Sequence, residues 1–122
     1  MLTLNWIGSR GGGWYPLHSD FSKVFVSGVY LIWHNSSAAH AGRFIKIGQG
    51  KTSNVGCRLS ELQKDPAVLA YQRYGDLYVS WAVVLVHQID GVERYLGEHL
   101  KPLIEGPLPD ILAIPVNLPG QS

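Results

Sequence analysis

"GVYLIW" at residues 28–33 and "RFIKIGQGKTSNVGCRL" at residues 43–59 decide how this chain folds. The first closes a β-branched and aromatic run, "KVFVSGVYLIW" (23–33), the composition of a strand, with Ser27-Gly28 expected as a bulge or break. The second opens with "RFIKIGQ" (43–49), where Phe44 and Lys46 alternate with Ile45 and Ile47, a second strand that pairs with the first as a hairpin. Between them "HNSSAAHAGR" (34–43) is small and polar, hence a loop. "GKTSN" (50–54) turns the chain and offers Ser53 or Asn54 as the cap of a helix over 55–64, where Val55, Leu59 and Leu62 recur at helical spacing.

Downstream, Asp65-Pro66 supplies a cap and then a proline at the first helical position, starting a second helix that Gly75 stops. "LYVSWAVVLVHQI" (77–89) is the most apolar strand and is expected at the centre of its sheet. "GVERYLGEHLKPLIEG" (91–106) reads as a helix with Val92, Leu96, Leu100 and Leu103 along one apolar stripe. The order β-β-α-α-β-α predicts a small single α+β domain, a three-stranded antiparallel sheet flanked by helices, over 24–106. Residues 1–23 are expected to be irregular, with a glycine hinge at "GSRGGG" (8–13). Pro107, Pro109, Pro115 and Pro119 mark 107–122 as a tail that wraps the surface in extended form.

At 122 residues with 46% hydrophobic and 16% charged content, the chain suits one globular domain with a real core. The single cysteine, Cys57, excludes an internal disulfide and a thiolate-rich zinc site, and fits a reducing, cytoplasmic setting. No basic segment followed by an apolar run marks a leader, and "WAVVLV" (81–86) is strand-sized, so no membrane association is expected. A net charge of +1 neither demands nor excludes nucleic acid, because cations need only gather on one face.

"GQGKTS" invites comparison with a phosphate-cradling P-loop through Gly50-Lys51-Thr52. That motif needs a glycine five positions before the Gly of the Gly-Lys pair, and Ile45, a strand residue, stands there. The P-loop reading fails on this position.

Taken singly, Tyr30 reads as a core strand tyrosine, Lys46 equally as an exposed strand lysine or a phosphate contact, and Arg58, off the apolar stripe of its helix, as a phosphate-gripping cation ahead of a solvated helix arginine. Taken in order, Gly28-Val29-Tyr30, Lys46-Ile47-Gly48, Arg58-Leu59 and a later helix carrying Glu93 resemble the GIY-YIG nuclease superfamily. The lysine ahead of Ile-Gly is similar to one phage and bacterial subgroup of it. The resemblance spans residues 24–105 and implies metal-dependent hydrolysis of DNA phosphodiester bonds. It assigns Tyr30 to positioning or deprotonating the attacking water, with Lys46 and Arg58 as cations toward phosphate. It assigns Glu93 to a single divalent ion, Mg²⁺ or Mn²⁺.

Chemistry agrees with those residue types. A guanidinium holds two phosphate oxygens at any relevant pH, and one carboxylate with several waters suits Mg²⁺. Wound at 3.6 residues per turn, Glu93 falls ~65° from the centre of the apolar stripe, at its border, whereas Glu98 falls ~155° away, toward solvent. Lys51, Arg43, Lys64 and Arg73 join Arg58 in a basic stripe that could track a nucleic-acid backbone. Trp14, Tyr15 and Trp33 are candidates for base stacking, core filling being the commoner role for Trp33. The chain departs from the pattern at three points: ten positions separate Gly48 from Arg58, no histidine follows a turn after Arg58, and Glu105 replaces the terminal asparagine. His34, His40, His87 and His99 stand at no metal-ligand spacing. Those departures leave open a catalytically impaired module of the same fold that binds nucleic acid or a protein partner, and an unrelated small α+β binding protein.

Overall fold

The computed structural model describes residues 1–8, 12–36 and 41–120; the hinge residues 9–11, the loop residues 37–40 with His40, and 121–122 lie outside the described residues. The elements are β1 (Tyr15–Pro16), β2 (Gly28–His34), β3 (Phe44–Gly50), α1 (Val55–Leu62), α2 (Pro66–Leu69) running into a 3₁₀ segment (Ala70–Tyr74), β4 (Leu77–Val83), a 3₁₀ turn (Val86–Gln88) and α3 (Ile89–Leu100). They form one antiparallel sheet in the order β1-β4-β2-β3. The α+β class and antiparallel pairing match the sequence expectation, but the sheet has four strands rather than three. The addition is β1, whose Tyr15 and Pro16 pair with Val79 and Tyr78 at the outer side of β4. Proline lacks the N–H for a ladder on both sides and therefore suits an edge.

The strand that begins at Lys23 in the sequence reading begins at Gly28 in the structure. The carbonyls of Val24 and Val26 accept the N–H groups of Gly56 and Val55 at 3.1 and 2.9 Å, so this stretch satisfies the first turn of α1 instead of a sheet neighbour. The approach is close enough that a Cβ on Gly56 would lie 2.3 Å from the Val24 carbonyl oxygen and 2.5 Å from that of Phe21. Asn54 caps the helix, its side-chain oxygen accepting from Cys57 N–H at 2.8 Å, and Asp65 caps α2 through Ala67 N–H at 2.9 Å with Pro66 following.

The last helix also shifts, to Ile89–Leu100. A residue before proline is disfavoured in the α region, and Lys101, ahead of Pro102, adopts the left-handed conformation with φ 45°. The chain then leaves the helix and lies along β3, where Leu103 and Ile104 donate to the Phe44 and Ile45 carbonyls at 3.1 and 2.8 Å. Leu103 is consequently outside the helix and partly exposed, while Val92 and Leu96 are buried.

Two cores result, one on each face of the sheet. Tyr30, Ile32, Val79 and Trp81 face α1 through Val55, Leu59 and Leu62. Val29, Leu31 and Ala82 face α3 through Ile89, Val92 and Leu96. Both chain ends join the α3 side: Leu4 and Val116 are buried there, and Leu4 exchanges hydrogen bonds with the Asn117 side chain at 2.6 and 2.9 Å. Among the described residues no helix is long and apolar enough to cross a membrane.

Candidate active site

The site starts from a register. Tyr30 on β2 stands opposite Gly48 on β3, and Ile32 opposite Lys46. Side chains alternate along a strand, so all four belong to one face. Gly48 has no side chain, and the Tyr30 ring lies over it: a Cβ there would fall 2.2 Å from the Tyr30 hydroxyl oxygen and 2.4 Å from Cζ. The phenol therefore reaches across β3 toward the free edge of the sheet. Its residue is only 1% exposed, yet the hydroxyl has no hydrogen-bond partner among the described residues and is not sealed from solvent. Burial pushes its pKa up to about 12; the Arg58 cation opposes the rise and the Glu93 carboxylate adds to it.

The two helices bring their groups to that edge from opposite faces. Arg58 projects from α1 beside the buried Leu59, exposed, and among the described residues holds only a 3.7 Å ion pair to Glu61 one turn on. Such a surface pair contributes little, ~0–1 kcal/mol, so the guanidinium is readily released to a ligand. Glu93 lies in the second turn of α3, half-buried at the border of the apolar stripe, as its helical angle predicts; Glu98 is exposed and paired with Arg94 at 3.6 Å. Burial raises the Glu93 pKa. A hydrogen bond from Gln49 counteracts this, the charge of Asp90 reinforces it, and Lys46 and Arg58 pull it back. The Arg58 charge thus acts on both Tyr30 and Glu93, and Lys46 on Glu93, while Arg58 and Glu93 line different depressions beside β3.

Gln49 and Asp90 complete the arrangement and were not singled out from the sequence. The Gln49 amide nitrogen donates to Asp90 Oδ1 at 2.9 Å and to Glu93 Oε1 at 3.1 Å, bridging two carboxylates three residues apart on one helix face. Lys51 Nζ meets Asp90 Oδ2 at 3.0 Å. These hydrogen bonds hold the Asp90 carboxyl below its ordinary pKa. The i, i+3 spacing of Asp90 and Glu93 was the available signal. It was missed because the helix was expected to start at Gly91, two residues too late, which left Asp90 outside it.

Two depressions flank this network. A cleft of about 270 Å³ runs between β3, α3 and the 101–108 segment, with Lys46, Glu93, Lys101 and Glu105 on its wall. A recess of about 170 Å³ is lined by Gln49, Lys51, Thr52, Ser53 and Arg58. One is walled by carboxylates and lysines, the other by cations and hydroxyls. Hydroxyls and cations in that combination can bind phosphate oxygens.

The remaining basic residues do not line up with these. Arg43 and Arg73 both lie over the Tyr74 ring, 5.0 and 4.9 Å from its centroid, at the far end of β2. Lys64 is exposed just past α1. The single stripe of the sequence reading becomes two groups: Lys51 with Arg58, and Arg43 with Arg73. His34 is fully buried and fixes Arg43. Its Nε2 accepts from Arg43 Nε at 3.1 Å, which leaves Nδ1 as the protonated nitrogen donating to Asn35 O at 2.7 Å.

No family model matches the chain, and neither a curated protein nor a solved structure matches it.

Proposed function

We propose that the chain is a divalent-metal-dependent endonuclease of the GIY-YIG type, hydrolysing phosphodiester bonds in DNA. What supports the reading is a phenol, two cations and a partly desolvated carboxylate on elements around β3, with the Arg58 charge acting on both Tyr30 and Glu93. Phosphodiester hydrolysis needs those groups. Arg58 grips the non-bridging oxygens, and Lys46 adds positive charge beside Glu93. Tyr30, with its proton retained, orients the attacking water by a hydrogen bond from its otherwise unpartnered hydroxyl. With a pKa near 12 the phenol stays protonated at neutral pH; losing that proton would require more positive charge beside it than Arg58 alone supplies.

The carboxylates suit a hard cation. Glu93 and Asp90 face each other through a single neutral amide, and burial, with their repulsion adding to it, raises the Glu93 pKa. Among the described residues no three His, Cys, Asp or Glu side chains converge, so an ion held by Glu93, with Asp90 beside it, would keep most of its waters, the habit of Mg²⁺. Bound there, Mg²⁺ or Mn²⁺ supplies Lewis-acid stabilisation of the leaving oxygen.

A plasmid-nicking assay in Mg²⁺ or Mn²⁺ tests the proposal. Cleavage should be lost in both Glu93→Gln and Arg58→Ala, and undiminished cleavage in Glu93→Gln would refute the assignment. One observation favours a second reading, a nucleic-acid-binding module without cleavage: the phenol stays protonated, and Lys46, paired with Ile32, stands where a second tyrosine would otherwise assist. Salt-dependent DNA binding with no nicking, and no rise in Tm with Mg²⁺, would select it.

A further inference from the structure

A second recess opens at the opposite end of the hairpin, about 290 Å³ in volume, walled by Trp14, Trp33 and Phe44 with Arg43, Asn35 and Ser36 at its mouth. Its size is at the low end for ligand pockets, enough for one planar ring system. The walls are ring faces and edges: Trp14 meets Trp33 edge-on at 5.6 Å, and Trp33 meets Phe44 at 6.0 Å. The mouth is cationic and preset. Arg43 is tied through Nε to the buried His34 and rests on Tyr74, and its two terminal nitrogens have no hydrogen-bond partner among the described residues. Arg73 stacks on the same tyrosine. Flat apolar walls with a fixed guanidinium beside them match a nucleobase with its phosphate. The Asn35 side chain adds donors and an acceptor suited to a base edge.

We propose that this recess takes an unpaired nucleobase of the DNA strand held at the Tyr30–Arg58 site, so that the preferred substrate carries a single-stranded segment near the cut. The inference rests on the nuclease or nucleic-acid-binding reading above and names its substrate class. His34, which lines the recess, lies four residues along β2 from Tyr30, a span of ~13 Å at ~3.3 Å per residue, while the Trp33 and Phe44 walls pack on the α3 face of the sheet, the side that carries Glu93. That covers about four nucleotides at ~3.4 Å each along one strand, so a strand passing over β3 from Tyr30 to the Glu93 side is placed to reach the recess. A base inside a duplex cannot present its faces to Trp14 and Trp33, whereas a flap, loop or frayed end can.

The test uses the full chain carrying Glu93→Gln, titrated with a twelve-nucleotide single strand and with a twelve-base-pair duplex while indole and backbone N–H signals are followed by NMR. The single strand should move the Trp14 and Trp33 indole signals and leave those of Trp6 and Trp81 in place, since Trp6 donates to Asn117 O at 2.9 Å and Trp81 is buried. Trp14→Ala should lower the ratio of single-strand to duplex affinity by about tenfold or more, the usual loss of one base–aromatic stack. If amide signals of residues 48–58 move while the Trp14 and Trp33 indoles do not, the recess is empty in the complex; the substrate inference is overturned and the nucleic-acid reading stands. If no signal moves with either DNA, both fall. The wild-type indole readout decides the matter even if Trp14→Ala does not fold.

Discussion

Gly48→Ala is the sharpest probe of the site, because one methyl group collides with one ring. The added Cβ would lie 2.2, 2.4 and 2.7 Å from the hydroxyl oxygen, Cζ and Cε2 of Tyr30. Non-bonded heavy atoms rest at ~3.5–4.0 Å, so ring or strand must move by more than 1 Å. The ring cannot swing out easily: it is 1% exposed and packed with Val55, Leu59 and Trp81. Overpacking of this kind costs ~1–3 kcal/mol, and ~1 kcal/mol shifts Tm by about 4 °C in a domain this size. A fall of roughly 4–12 °C in Tm is expected. Without the ring the sign should reverse, because glycine inside a strand is worse than alanine by ~0.5–1 kcal/mol. Urea unfolding of wild type, Gly48→Ala, Tyr30→Leu and the double variant measures both effects in one cycle. Gly48→Ala should destabilise the wild type and stabilise Tyr30→Leu. If it stabilises both, Tyr30 does not lie over Gly48, and the phenol does not reach across β3.

The folded pKa of Glu93 is raised above its ordinary 4.5, so the folded chain binds more protons than the unfolded one just above pH 4.5 and stability falls as pH rises through that window. Glu93→Gln should match wild type near pH 4 and be at least as stable at pH 7 by urea midpoint; a clear loss at pH 7 would contradict the burial argument. Gln49→Ala removes the amide that separates Asp90 from Glu93 and should cost ~1.5–3 kcal/mol in unfolding free energy, as for hydrogen bonds to charged groups. Added Mg²⁺ should restore part of that stability if the carboxylates accept the ion, and an Mg²⁺-independent Tm argues against it. Lys51→Ala breaks an ion pair whose partners are both about one-third exposed, so stability should change by less than ~1 kcal/mol. Under the DNA-binding reading the same variant should reduce the slope of log affinity against log salt by about 1. Gly56→Ala, whose Cβ would strike two backbone carbonyls, should lose ~3 kcal/mol by urea unfolding, and a neutral result would mean that residues 21–24 do not dock on α1.

Much of the architecture was written in short-range pattern. The hairpin, both cap residues Asn54 and Asp65, and the border position of Glu93 follow from alternation, capping chemistry and helical angle, all of which act within a few residues. The errors fell where a distant segment competes for the same backbone groups. Val24 and Val26 look like strand residues, but their carbonyls are taken by α1. Residues 101–106 look like more helix, but Pro102 ends it and the edge of β3 captures the chain. Tyr15-Pro16 carries no strand pattern, and only β4 beside it makes it one.

The sequence by itself determined the class of fold, the pairing of the two strands as a hairpin, and the kinds of charged group available. Tertiary structure alone decided that Arg58 and Glu93 flank β3 from opposite faces of the sheet, that Gln49 joins Asp90 to Glu93, and that Arg43 and Arg73 leave the other cations for Tyr74. The reason is range. Propensity and periodicity are local, whereas the field at a carboxylate is summed over groups that packing brings together from anywhere in the chain.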